Sequence, residues 1–265
     1  MCVFGHQLIQ KDTMNAVATF LLLLSYLSNC HAPPQQPSAA QIDAGQGQVV
    51  MTDSSSNAYF LSGSGWSKLG TVPLSHVTVG PAGIWGVDSF DKIYKFVRGD
   101  FVSVDGLLQQ VDAGGNEQIV GVNSADNIFC LKSSITLAYP QPGPVAWTPF
   151  DGLLTYFSCG PNGCWGVNSA DNIYVTVSSS IFTSSKTSWT QVPGAAKMAE
   201  VGTDGSVFVV NSNGDVFQRT GITSSLPQGR DWVQIPFCLP VKHVSYDLGH
   251  LWVVMEIGLI LDCQQ

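Results

Sequence analysis

Near-identical octapeptides recur along this chain of 265 residues, and they constrain its fold more than any other feature. The strongest copies are Val87–Tyr94, Val122–Phe129 and Val167–Tyr174, with weaker ones at Met51–Tyr59, Val210–Phe217 and Val254–Leu261. Successive copies begin roughly 35 to 45 residues apart, which is the period of one supersecondary unit in a repeat protein. Such units predict a single closed or stacked object and not two ordinary domains.

Each unit contains short β-rich runs separated by turn residues. In one unit these runs are Val145–Thr148, Leu154–Ser158, Trp165–Asn168 and Ile173–Thr176. Four strands in about 40 residues make one propeller blade, and a ring of blades can close so that no long sheet edge is exposed. The sequence therefore predicts an all-β fold, a six-bladed β-propeller over residues 41–265, with almost no helix.

The N-terminal segment has the composition of an export signal. A short apolar run, Ala16–Leu27, follows Lys11, and Cys30 and Ala32 are small residues placed as they are before a cleavage site. These features predict a signal peptide over residues 1–32, cleaved after Ala32. The apolar run is too short to span a membrane, so the chain is expected to be secreted.

Closure of the ring is the least complete part of the pattern. Nothing near position 30 matches the aromatic residue that precedes the octapeptide in other units, and a proline-rich run, Pro33–Pro37, stands there instead. Residues 33–40 are therefore expected to form a mobile tail. The last blade, Trp232–Cys263, is expected to meet the strands of Gln48–Leu61 with little help from the N-terminus.

Five cysteines follow the predicted cleavage site, in what should be an oxidising compartment. Cys159 and Cys164 flank a turn sequence, Gly160–Gly163, and are predicted to form a disulfide across a hairpin. The pairing of the three others stays open: Cys130, Cys238 and Cys263.

Charged residues are sparse, at 11% of the chain, and the net charge is −8. Because no basic stripe is present to neutralise phosphates, nucleic acid is excluded as a partner. A sialidase would need a cluster of three arginines, but Arg98, Arg219 and Arg230 occupy unrelated repeat positions, so no enzyme activity is predicted. The histidines lack ligand spacing, so no metal site or other cofactor is predicted, while calcium dependence stays open.

The turn within each octapeptide reads Asn-Ser-x-Asp-Asn or a close variant. Such side chains bond to nearby backbone and tolerate left-handed dihedrals, as tight hairpins require. The alternative is that they line one rim of the ring and present amide and carboxylate groups to sugar hydroxyls. The candidates are Asp88, Asp91, Asn123, Asp126, Asn127, Asn168, Asp171, Asn172 and Asn211. The copy at Met255–Leu259 has lost the Asn and Asp and is not expected to bind.

The tryptophans allow the same two interpretations. Trp85 and Trp165 lie within strands and are predicted to pack between blades. Trp147 and Trp189 follow loops and are candidates for stacking on a sugar ring, with packing between blades as the alternative.

The repeats resemble tectonin repeats, and the chain from about Gln41 to Cys263 is similar to the fish-egg lectins. Segments such as Gly106–Gly114, Ser158–Ser169 and Gly202–Phe208 carry the resemblance. It implies a secreted six-bladed propeller that binds carbohydrate without cleaving it, with N-acetylglucosamine or galactose-type sugars and microbial glycans as ligands, and a role in eggs and innate defence. The alternative function is an extracellular protein-binding platform, and oligomerisation stays open.

Overall fold

The computed structural model describes residues 29–33, 36–140, 144–177 and 188–265, and its strands form six separate four-stranded antiparallel sheets. The first strand, β1 (Cys30–His31), belongs to the last sheet. Blade 1 contains β2 (Ala39–Gly45), β3 (Gln48–Asp53), β4 (Ala58–Ser62) and β5 (Gly65–Lys68). Blade 2 contains β6 (His76–Gly80), β7 (Gly83–Val87), β8 (Lys92–Val97) and β9 (Asp100–Leu107). Blade 3 contains β10 (Gln110–Asp112), β11 (Ile119–Val122), β12 (Asn127–Leu131) and β13 (Thr148–Leu153).

The second half of the chain repeats the pattern. Blade 4 contains β14 (Tyr156–Gly160), β15 (Gly163–Val167), β16 (Asn172–Thr176) and β17 (Thr190–Ala195). Blade 5 contains β18 (Met198–Val201), β19 (Val207–Val210), β20 (Val216–Arg219) and β21 (Trp232–Ile235). Blade 6 contains β22 (Val241–Asp247), β23 (His250–Met255) and β24 (Ile260–Gln264) together with β1. The structure confirms the predicted all-β, six-bladed propeller, in which a short helix at Ser133–Thr136 interrupts the last hairpin of blade 3. No helix in the described ranges is long and apolar enough to cross a membrane.

The hydrophobic core is divided among the contacts between neighbouring blades. Trp85 of blade 2 packs with Val111 and Ile119 of blade 3, and Trp165 of blade 4 packs with Ala199 and Val209 of blade 5. Each of these two tryptophans exposes 1% or less of its surface to solvent, which confirms their predicted role in packing between blades. Burial of two such large aromatic rings stabilises the contact between adjacent sheets directly.

The ring closes differently from the sequence-based expectation. β1 pairs with β24 in antiparallel register, Cys30 opposite Cys263, and a disulfide joins these two cysteines across 233 residues. Cleavage after Ala32 does not fit this arrangement, because it would remove β1 and half of the disulfide. The rest of the predicted signal peptide, residues 1–28, lies outside the described residues.

The segment after β1 is also more ordered than the predicted tail. Ala39 is fully buried and begins β2, and its backbone N–H donates to the carbonyl of Gly258 at 2.9 Å. The side-chain oxygen of Gln36 accepts the N–H of Ile260 at 2.7 Å. The prediction of a mobile tail is therefore wrong for residues 36–40, which join blade 1 to blade 6; residues 34 and 35 are not described.

The predicted disulfide between Cys159 and Cys164 is present and closes the first hairpin of blade 4. Cys130 is a free, buried thiol in blade 3, and burial raises its pKa to about 12. This thiol is therefore protonated and unreactive in the folded protein near neutral pH.

Candidate functional site

The predicted turns lie on one rim of the propeller, where the second strand of a blade meets the third. In blade 4, Oδ1 of Asn168 accepts the backbone N–H groups of Ala170 and Asn172 at 3.1 and 2.9 Å. Asp171 has a left-handed φ of 64°, and its carbonyl accepts the N–H of Ala196 at 3.0 Å. The motif therefore closes its own hairpin and also holds the end of the fourth strand.

The same turn recurs in neighbouring blades. Oδ1 of Asp88, of Asn123 and of Asn211 accepts two backbone N–H groups of its own turn at 2.8 to 3.0 Å. Asp91 and Asp126 also have a φ of 64°. The first and fourth positions of the motif thus have the structural role that the turn interpretation predicts, whatever else they bind.

The remaining polar atoms of the turns are partly occupied. Oδ1 of Asp171 forms an ion pair with Nζ of Lys197 at 2.8 Å. Oδ1 of Asn172 accepts a hydrogen bond from Gln191 at 3.3 Å, while Asn127 is exposed at the corresponding place in blade 3. Because Asp171 and Asn172 already have partners at the surface, they are weaker candidates for ligand contact than Asn168.

Trp147 and Trp189 pack against the preceding blade. Nε1 of Trp147 donates to the carbonyl of Asp105 at 2.6 Å, and Nε1 of Trp189 donates to that of Asp151 at 2.7 Å. Beneath Trp189 lies Gly152, with φ of 123°, where a Cβ would meet Nε1 of the indole at 3.0 Å. Both indoles remain partly accessible, so packing leaves part of each ring for contact with a ligand.

A shallow groove of about 310 Å³ lies between blades 3 and 4. Gly152, Leu153 and Leu154 form one wall, and the other is formed by Asn168, Tyr174 and Trp189. The groove thus brings together two of the predicted candidates, Asn168 and Trp189. None of the side chains that line it is charged, so the groove suits a neutral ligand that combines an apolar face with hydrogen-bonding groups.

Tyr174 is the groove residue that sequence reasoning missed as a candidate. Its hydroxyl makes no hydrogen bond within the part of the chain that the structure describes, whereas Oδ1 of the adjacent Asn168 is fully used by the turn. Asn168 therefore has its amide Nδ2 to offer as a donor, and Tyr174 has a hydroxyl that both donates and accepts. The signal in the sequence was the repeat position itself, which alternates between two aromatic residues: Tyr59, Tyr94, Phe129, Tyr174 and Phe217.

In blades 1 and 2 the equivalent tyrosine hydroxyl is already bonded. Tyr94 donates to Oδ2 of Asp88 at 2.9 Å, and Tyr59 donates to Oδ2 of Asp53 at 3.1 Å. Burial, together with the neighbouring carboxylate, raises the pKa of each tyrosine. An aspartate in place of the first asparagine therefore ties up the hydroxyl that is free in blade 4.

Blades 3 and 5 retain the asparagine but have no hydroxyl to add. Phe129 and Phe217 stand at the position of Tyr174. In blade 5, Nδ2 of Asn211 also donates to Asp215 at 3.1 Å. Among these five equivalent positions, blade 4 alone combines an amide donor with an unbonded tyrosine hydroxyl.

Metal ligands are not grouped at this rim. Across the described ranges, no three His, Cys, Asp or Glu side chains are arranged to hold a metal ion.

The fold and this rim define a class: a six-bladed propeller of diverged repeats with a shallow groove between blades 3 and 4. A family model for the tectonin domain matches residues 38–256, and the chain belongs to the tectonin family. It is 48% identical over 157 residues to the fish-egg lectin of Cyprinus carpio, covering 58% of this chain and 65% of that protein. It is 25% identical over 217 residues to the perivitellin-2 31 kDa subunit of Pomacea maculata, covering 62% of this chain and 76% of that one.

Solved structures support the fold alone. The β-propeller domain of Myceliophteria thermophila Cps50 superposes with a TM-score of 0.61 at 7% identity, covering 89% of this chain and 99% of that domain. Virginiamycin B lyase from Staphylococcus aureus gives a TM-score of 0.59 at 13% identity, covering 88% of this chain and 82% of the lyase.

Proposed function

We propose that this protein is a secreted lectin that binds glycans without cleaving them, and that its main sugar site is the groove between blades 3 and 4. The observation that carries the proposal is the pairing of a free tyrosine hydroxyl, Tyr174, with the amide of Asn168 beside a partly accessible indole, Trp189. The relationship to a protein named as a fish-egg lectin supports the same class of function.

The chemistry of the groove favours a neutral sugar. A pyranose presents an apolar C–H face that can lie against an aromatic ring, and its hydroxyls can take the two polar groups. Leu153 is exposed on the opposite wall and offers an apolar contact for an acetamido methyl group, as in N-acetylglucosamine. Galactose-type sugars without an acetamido group should bind less tightly. We propose that the ligands are glycans that display such sugars on microbial or egg surfaces. The biological role of the protein would then be in innate defence.

Single-site affinity should be weak because the groove is open. A dissociation constant near 1 mM, or about −4 kcal/mol, is expected for one monosaccharide. Useful binding to a cell surface would then require several sites to engage together, on one chain or within an oligomer.

The test makes the same substitution in the turns of two blades. Asn168→Asp recreates in blade 4 the carboxylate that holds the tyrosine hydroxyl in blade 2, and it conserves the hydrogen bonds of the turn. Asn123→Asp is the matched control, since it makes the same change in blade 3, where Phe129 provides no hydroxyl. Binding to a glycan array, with inhibition by free monosaccharides, is measured alongside the melting temperature of each variant.

Asn168→Asp should weaken inhibition by N-acetylglucosamine at least tenfold with little change in melting temperature, and Asn123→Asp should leave it within about twofold. Unchanged affinity of a folded Asn168→Asp variant would place the sugar elsewhere. If folded wild-type protein bound no glycan but captured a polypeptide, the protein-binding platform would replace the lectin proposal. Turnover of a chromogenic glycoside would contradict binding without cleavage.

A further inference from the structure

The axis of the propeller is lined by polar side chains from the first strand of each blade. In strands, residues two apart face the same side, so each first strand contributes an inner pair to the channel. One layer of these pairs alternates acids with hydroxyls around the ring: Asp43, Thr78, Asp112, Ser158, Glu200 and Ser245. All six residues are at most 5% exposed.

This layer connects each blade to the next by hydrogen bonds. Oδ2 of Asp43 accepts the N–H of Val79 from blade 2 at 2.6 Å. In turn, Oγ1 of Thr78 accepts the N–H of Ala113 from blade 3 at 3.0 Å. Asp112 and Ser158 repeat this pattern toward blades 4 and 5. The acids and hydroxyls therefore satisfy backbone donors at the contacts between blades.

Glu200 departs from the pattern because its side chain is one methylene longer. Oε1 of Glu200 lies 3.4 Å from Oγ of Ser245, and its carboxyl group is in hydrogen-bond contact with that of Asp43. Oγ of Ser245 also lies 2.9 Å from Oδ1 of Asp43 and accepts the N–H of Ala44 at 2.9 Å. A serine hydroxyl has a single hydrogen, so it cannot satisfy both carboxylates.

No counter-charge compensates these acids. Throughout the described ranges, no Lys, Arg or His forms an ion pair with Asp43, Asp112 or Glu200. The adjacent layer holds His76, Tyr156 and His243, whose ring centroids are 5.8 to 6.0 Å apart. Burial lowers the pKa of both histidines, so the imidazoles are neutral near pH 7 and supply no positive charge.

We propose that this layer of axial side chains is a proton-dependent lock. A proton shared by the carboxyl groups of Asp43 and Glu200 holds blades 1, 5 and 6 together, and loss of this proton loosens the ring. Two carboxylates in contact, buried and without a cation, cannot both be ionised. Burial raises the pKa of Glu200 well above its ordinary value and also raises that of Asp43. Burial and the charge of Asp43 raise the pKa of Asp112 to about 8.

The sign of the pH dependence follows from these directions. The folded state holds protons that the unfolded carboxyls, with pKa values near 4, have already lost at neutral pH. The stabilisation that these carboxyl groups contribute is therefore fully present below pH 4, and it is lost as the pH rises through their folded pKa values. For each proton held, the unfolding equilibrium constant should rise about tenfold per pH unit in that window.

The test measures unfolding in guanidinium chloride between pH 7 and 8, above the titration of unfolded histidine and below that of the unfolded thiol of Cys130, near 8.5. Glu200→Gln keeps the shape and offers an amide donor to Asp43 without a titratable proton. Glu117→Gln is the matched control, since it makes the same change at an exposed position. The unfolding constant of the wild type and of the control should rise at least about tenfold across this range, and Glu200→Gln should lower the number of protons released on unfolding by about one.

Equal slopes for wild type and Glu200→Gln would overturn the proposal. If Glu200→Gln does not fold, Asp112→Asn is judged by whether it reduces the slope in the same way. A direct count on wild-type protein needs no variant: unfolding at pH 7.5 in weakly buffered solution should release at least one proton per molecule. Release of no proton would likewise overturn the lock.

Discussion

Removing the disulfide between Cys30 and Cys263 should weaken the ring far more than removing the one between Cys159 and Cys164. The first closes a loop with a sequence separation of 233 residues, and the second closes a loop with a separation of 5. In the chain-entropy treatment these separations correspond to about 5 and about 2 kcal/mol of stabilisation, respectively. A loss of about 5 kcal/mol is a large part of the total stability of a domain, which is typically about 5 to 15 kcal/mol.

The structure gives a second reason for this difference. β1 pairs with β24 through only two residues, Cys30 and His31, so without the covalent link little holds this strand on blade 6. The hairpin that contains Cys159 and Cys164 has five paired positions and remains closed without its disulfide.

Each disulfide is removed by changing both cysteines to serine, so that no new thiol is left behind. Urea unfolding followed by tryptophan fluorescence gives the free energy of each variant, and calorimetry gives its melting temperature. The two double variants should differ by about 3 kcal/mol, or about 6 to 12 °C for a chain of this size. Equal losses, or a larger loss for the Cys159 and Cys164 pair, would refute the reasoning from loop length and ring closure.

Two further predictions concern the axis and the groove. Burial lowers the pKa of His76 from an unfolded value near 6.5 to about 4, so its contribution to stability is present above pH 6.5 and is lost as the pH falls to about 4. In the wild type, protonation of the unfolded His76 should raise the unfolding constant about tenfold for each pH unit of acidification in this range, and His76→Phe should remove this factor. An unchanged slope would show that His76 is not buried as a neutral group. Gly152→Ala should cost about 1 to 3 kcal/mol more than Gly63→Ala in urea unfolding, because a Cβ at Gly152 meets Trp189 at 3.0 Å and one at Gly63 meets nothing within 4 Å; equal costs would mean that the indole can move freely.

The repeating fold could be predicted because its turns are encoded locally. The Asn-Ser-x-Asp-Asn sequence specifies a side-chain acceptor at its first position and a left-handed residue at its fourth, as Asn168 and Asp171 show. Closure of the ring could not be predicted in this way. The pairing of β1 with β24 is formed by residues at opposite ends of the chain, and no local pattern distinguishes Cys30 and His31 from the end of an export signal.

The candidate site was predicted only in part, because its two walls come from different blades. Asn168 and Trp189 belong to a repeat motif, whereas the opposite wall, Gly152 and Leu153, comes from the preceding blade and follows a different repeat, Asp-Gly-Leu-Leu, also present at Asp105–Leu108. The importance of Tyr174 depends on what its hydroxyl does not contact. That property becomes visible only when the hydrogen bonds of five equivalent turns are compared.

This comparison also explains how a propeller of near-identical units can hold one distinctive groove. The turn needs only an oxygen acceptor at its first position, so asparagine and aspartate close the hairpin equally well, as Asp88 and Asn168 do. Exchange between them leaves the fold intact but decides whether the neighbouring tyrosine is bonded within its own blade. Replacement of that tyrosine by phenylalanine, as at Phe129, removes the hydroxyl with little effect on packing. Because the atoms that close the turn are not the atoms that we propose to contact a sugar, the repeats could diverge in binding while they remain the same in fold.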